Sequence, residues 1–183
     1  MIGKGKSISH GVAALEYDLA KEINGQAVAT EIARHELYGC TGAEMVQEMK
    51  PYHIDFPNVK NNCLRFEVSP SIEESATFTD ADWAELGNDF MQRMGLANHQ
   101  YIIIRHSGTE SKKEQAHLHI LANRVSLSGE LYRDNWIGKK ATEAANAIAK
   151  ERNFVQSQDI GKVNKAEIKE AMDGGLKKMQ GFD

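Results

Sequence analysis

Apolar residues recur along this chain at two periods, and the periods mark its elements. Val12, Leu15, Leu19 and Ile23 return at helical spacing, predicting a helix from Ser9, a plausible N-cap, to Ile23. A second helix is expected to begin near Thr41, where Thr41 and Glu44 form a capping-box pair, and to stop before Pro51. Trp83, Leu86, Phe90 and Met94 predict a third, running from about Thr79 to a C-terminal cap at Gly95. The alanine-rich run from Lys139 to Asn153 predicts a fourth, with Lys140, Glu143 and Lys150 exposed and Trp136 packing beneath it, the alternative for Trp136 being to stack on a base. Leu64, Phe66 and Val68 alternate with Cys63, Arg65, Glu67 and Ser69, the period of a half-buried strand. Ile102, Ile103 and Ile104 read as a buried strand, and so does the segment from Ala116 to Val125. Residues 26–38 fit helix and strand equally, Ser128-Gly129 predicts a turn, and Gly3 to Ser7 reads as a flexible basic start.

Helices alternating with strands predict an α+β fold, a two-layer sandwich with a mainly antiparallel sheet covered by helices. Residues 1–155 are expected to form one domain. Residues 156–183 are polar and partly helical in pattern, and are expected to continue into a longer natural protein.

Composition narrows the class. With 41% hydrophobic and 26% charged residues, the chain has the make-up of a soluble globular domain. No apolar run approaches membrane-spanning length and the start has no signal-peptide core, so a cytoplasmic protein without membrane insertion is expected. Cys40 and Cys63 are isolated and make no metal or redox motif. A net charge of -4 argues against a general cationic coat for nucleic acid. It leaves room for a local basic groove, for which Arg105, Lys112, Lys113 and Arg124 are the candidates around the histidines described next.

His106 ends the isoleucine strand, while His117 and His119 lie near the start of the next one. Side chains alternate along a strand, so His117, His119 and Asn123 project from one face. Closing residues 107–115 as a hairpin loop would bring His106 to the same place. Three neutral imidazoles converging on one point suit a divalent metal ion and leave coordination positions open, as catalytic sites do. The other histidines, His10, His35, His53 and His99, have no matching spacing and are expected to be structural or exposed.

His117-x-His119-x-x-x-Asn123-Arg124-Val125, with His106 upstream, resembles the third motif of the plasmid mobilisation relaxases, nucleases of the HUH (histidine, hydrophobic, histidine) class. Ser9 to Lys21 is similar to their first motif, a short helix that bears the nucleophilic tyrosine, here Tyr17. Residues 61–70 and the helix ending Met94-Gly95-Leu96 fall in the same order, so the resemblance covers about residues 1 to 155. One departure stands out: many relatives carry an aspartate two residues after the first histidine, where this chain has Gly108. Glu110 or Glu114 is then the candidate carboxylate behind the ligands, with Asn123 as a further partner.

The resemblance implies a relaxase that nicks single-stranded DNA at a transfer origin for conjugative mobilisation, with accessory mobilisation proteins as possible partners. Tyr17 would attack the scissile phosphate and form a covalent 5′-phosphotyrosine. His106, His117 and His119 would hold magnesium or manganese, although imidazoles suit zinc or another transition metal equally. A neutral phenol is a poor nucleophile, so a base or the metal must help remove its proton. Glu67, on the polar face of its strand, is a candidate base, and an ordinary surface carboxylate paired with Arg65 or another neighbour is the competing reading. Tyr17 is about 200° around the helix from Leu15 and from Leu19, so it points away from the apolar stripe. Three alternatives remain: a replication initiator or transposase of the same class, a histidine-coordinated metallohydrolase, and a non-catalytic nucleic-acid-binding module.

Overall fold

The computed structural model describes residues 1–108, 115–157 and 159. In chain order the elements are β1 (Ile2–Ile8), α1 (Gly11–Leu19), β2 (Glu22–Ile23), β3 (Gln26–Ala27), β4 (Ala29–His35) and α2 (Gly42–Met49). A 3-10 turn (Lys50–His53) follows, then β5 (Cys63–Ser69), α3 (Ile72–Ser75), α4 (Asp80–Arg93), β6 (His99–His106), β7 (His117–Ser126) and α5 (Ile137–Glu151). Five strands form one sheet in the order β1-β5-β7-β6-β4, with every neighbouring pair antiparallel. The short β2 and β3 pair only with each other.

The strand sequences explain how this sheet is covered. Ile102 and Ile104 of β6 project to one face and pack with Ala14 and Leu15 of α1 and Met45, Val46 and Met49 of α2. Ile103 projects to the other face and packs with Leu86 and Phe90 of α4 and with Ala141, Ala145 and Ile148 of α5. On that second face, Phe66 and Phe90 meet edge-on with ring centroids 5.5 Å apart. The α+β class and the antiparallel sheet agree with the sequence reading, but helices cover both faces, giving three layers where two were expected. An uninterrupted isoleucine run is the pattern of a strand buried on both sides.

Other differences have local causes. Residues 3–7 are not a flexible start: β1 pairs with β5 from Ile2↔Ser69 to Ile8↔Cys63 and forms an edge of the sheet. Its inward positions are Gly3 and Gly5, which let α5 approach closely and carry no apolar signal to read. Helix α1 spans Gly11–Leu19 and has no side-chain cap, and its buried positions are Gly11, Ala14, Leu15 and Asp18. The stripe is thus turned relative to the one expected, with Val12 39% exposed. Within residues 26–38 the chain forms strands β3 and β4 and no helix, with a register shift in β4 between Glu31 and Ala33. Trp136 does not pack beneath α5: it is 80% exposed, at the helix's N-terminal boundary. The capping box at Thr41 and the left-handed Gly95 after α4 are as the sequence indicated, and Thr79 and Asp82 form a further capping box at the start of α4. Most of residues 156–183 fall outside the described region. Among the described residues, no helix is long and apolar enough to cross a membrane.

Candidate metal centre

The pairing of β6 with β7 sets His106 directly opposite His117, and His119 follows on the same face. The rings converge, with centroids 4.4 Å apart for His106–His119, 4.9 Å for His117–His119 and 5.4 Å for His106–His117. One nitrogen of each histidine lies within 4.8 Å of the other two. His106 and His117 are buried, and the His119 side chain is 13% exposed.

Hydrogen bonds fix how the rings are presented. His117 Nδ1 lies 3.2 Å from the Gln115 carbonyl, so Nδ1–H donates there and Nε2 faces His119 Nε2 at 3.1 Å. His106 Nε2–H donates to the carbonyl of Asp18 at 2.7 Å, leaving the Nδ1 lone pair free. Burial, reinforced by the neighbouring imidazoles and Arg65, pushes the His119 imidazole down to about 2, and burial likewise lowers His106. The 3.8 Å approach of His119 Nδ1 to Asp18 Oδ1 is therefore that of a neutral ring to a carboxylate, not an ion pair. Neutral imidazoles with inward lone pairs are the form that binds a cation. The three side chains fit a divalent ion, and their all-nitrogen donor set suits a transition metal.

Asp18, which the sequence reading missed, lies behind the histidines. It is 1% exposed on the inner side of α1. Arg65 grips its carboxylate through Nε–H at 3.0 Å and an NH2 contact at 2.5 Å, and the same NH2 group lies 3.3 Å from His119 Nδ1. Its signal in sequence was helical spacing, since Asp18 falls four residues after the buried Ala14. Tyr17 is its neighbour in the chain, 57% exposed, and its phenol oxygen accepts a hydrogen bond from Lys21 Nζ at 2.7 Å.

The remaining candidates divide. Glu67 pairs across the sheet with His119 and is bonded at 2.9 Å not to Arg65 but to Lys4. Lys4, Lys6, Arg65, Glu67 and His119 line a cleft of about 200 Å³ beside the histidines. Arg105 and Arg124 do not join them. Arg105 turns to the opposite face and pairs with Asp80 at 2.5 Å. Arg124 pairs with Asp134 at 2.6 Å and donates to the carbonyls of Asn61 and Tyr132. Asn123 shares the histidine face but serves His53, Gln100 and Val125, not the three rings. His35 and His99 are structural, each bonded to a backbone carbonyl. Glu110, Lys112, Lys113 and Glu114 lie outside the described residues.

Comparison with known proteins then bears on this geometry. The family described as "Relaxase: MobA/VirD2-like, nuclease domain" matches residues 17–154. No curated protein matches the sequence. Among solved structures, the chain is similar to the conjugative relaxase TrwC in complex with oriT DNA, in its metal-bound form. That similarity has 12% identity and a TM-score of 0.49, and covers 87% of this chain and 70% of the other.

Proposed function

The chain belongs to the MobA/VirD2-like relaxase nuclease family and is a DNA-nicking domain; from that premise, we propose that it cuts one strand at a transfer origin by transesterification to Tyr17. The observation that carries this reading is the convergence of His106, His117 and His119 on the sheet face covered by α1, the helix that bears Tyr17. Asp18, next in the chain, accepts the hydrogen bond from His106 and ties that helix to the centre.

The three histidines would hold a divalent ion, which supplies charge neutralisation at a non-bridging phosphate oxygen. Manganese is the cation to test first, with magnesium, zinc and other transition metals as comparisons. The Tyr17 oxygen attacks phosphorus and forms a new P–O bond, while the bond to the 3′-oxygen breaks and that oxygen leaves as a hydroxyl. The 5′-phosphate stays on the tyrosine as a diester, so the 3′-hydroxyl can attack in return and reseal the strand. Lys21, donating to the phenol oxygen, fixes its direction and sets a positive charge where the attacking oxygen loses its proton. Glu67 is the proposed acceptor of that proton, held in the cleft wall by Lys4. Lys4 and Lys6, not Arg105 and Arg124, are positioned to meet the phosphates of single-stranded DNA beside His119.

Incubating the protein with manganese and 3′-labelled random-sequence single-stranded oligonucleotides tests the reading on a denaturing gel. Label is expected to migrate with the protein in wild type and to be lost in Tyr17→Phe, with DNA binding retained. An adduct of equal yield in Tyr17→Phe would remove Tyr17 as the nucleophile. Cleavage that leaves no DNA on the protein would instead favour a metallohydrolase.

A further inference from the structure

Resting on that metal centre, we propose that Asp18 is a positioning residue that selects the metal-binding tautomer of His119, with Arg65 as its opponent. A neutral imidazole carries one hydrogen, on Nδ1 or on Nε2. Only the Nδ1–H form leaves the lone pair of Nε2 free towards His117 and the centre. That form needs an acceptor behind the ring. Two groups stand there: Asp18 Oδ1 at 3.8 Å and the Arg65 NH2 group at 3.3 Å. A guanidinium can only donate, whereas an ionised carboxylate can only accept.

The two neighbours therefore favour opposite forms of one ring. Arg65, donating to Nδ1, holds the hydrogen on Nε2, where it points at His117 and blocks a cation. Asp18 Oδ1, at 3.8 Å, stands just beyond hydrogen-bond distance; accepting from Nδ1–H when a cation engages the ring, it would turn the Nε2 lone pair inward. The Asp18 carboxylate also binds Arg65 at two points, which offsets the guanidinium's charge while the same NH2 group stays 3.3 Å from His119 Nδ1. The Asp18 carbonyl meanwhile sets His106, by accepting its Nε2–H at 2.7 Å. One residue of the tyrosine helix thus orients His106 and would orient His119, a task usually given to carboxylates behind a metal site.

The test relies on two variants that break the same ion pair but act oppositely on His119. Calorimetric titration with manganese alone is expected to show about a 10–100-fold loss of affinity in Asp18→Asn. In Arg65→Met, where the competing donor is gone and the carboxylate stays, affinity is expected to hold or rise. Long-range 1H–15N imidazole spectra of the metal-free proteins should shift His119 towards Nε2–H in the first variant and Nδ1–H in the second. An equal loss in both variants, or an unchanged affinity in Asp18→Asn, would overturn the proposal and leave the pair a structural clamp. Should Asp18→Asn fail to fold, Arg65→Met decides alone: retained affinity supports the proposal and lost affinity overturns it. Wild-type protein with no manganese binding sensitive to His119→Ala would instead refute the metal centre itself, a separate failure.

Discussion

His106 and His117 face each other across two strands, and His119 joins them because strand side chains repeat every second residue. The same parity rule separates chemistry from scaffold elsewhere in these strands. Arg105 and Arg124 are next in sequence to His106 and Asn123, so alternation alone carries them to the far face, where they pair with Asp80 and Asp134. Nearness in the chain suggests instead a basic groove beside the histidines, and strand parity overrules it. Arg65 and Lys4 were not legible in the sequence, because what qualifies them is contact with residues far away in the chain, and Asp18 showed only its helical spacing from Ala14. The histidines differ in what they touch: His119 faces the other two rings, whereas His53 meets Asn123. His119→Ala is expected to weaken manganese binding by more than the roughly 10–100-fold that loss of an outer-shell partner costs. His53→Ala, which removes only a bond to Asn123, should leave that affinity unchanged in the same titration. Equal losses in both would mean that the cation sits elsewhere.

Strand β1 carries Lys4 and Lys6 to the cleft, and it does so because α5 lies almost on its backbone. A Cβ on Gly3 would stand 2.4 Å from the Ala141 carbonyl oxygen and 2.6 Å from the Ala145 Cβ. Gly3→Ala must therefore shift the helix, and is expected to cost about 1–3 kcal/mol in urea denaturation. A change below about 0.5 kcal/mol would show that α5 does not need this approach. The sequence hid β1 for the same reason: a strand whose inner face is glycine shows no hydrophobic alternation. Helix α2 is the opposite case, since Thr41 and Glu44 announce their reciprocal cap in the sequence and make it in the fold. Thr41→Ala should cost about 1 kcal/mol by the same measurement. No loss there would mean that packing of Met45 and Met49 holds the helix without its cap.

Across the whole molecule, two apolar cores on opposite faces of one sheet hold the histidine strands, and the histidines stand at the end of β6 and the start of β7. Folding and metal binding are therefore expected to separate. Chelation by EDTA should abolish cleavage while leaving the far-ultraviolet circular dichroism unchanged, and unfolding on chelation would contradict this division. The strands and long helices were legible because their periods are local, whereas the third layer and the closing edge strand depend on pairings between distant segments. Both halves of the chain meet in the proposed chemistry: three histidines from two adjacent strands would hold a cation for Tyr17, on the helix that covers them. Peptide mapping by mass spectrometry of the protein after reaction with single-stranded DNA and manganese tests it most directly. The account expects a 5′-phosphonucleotide on the peptide containing Tyr17 in wild type, and none in His119→Ala. Modification of a different residue, or an undiminished Tyr17 adduct without His119, would contradict it.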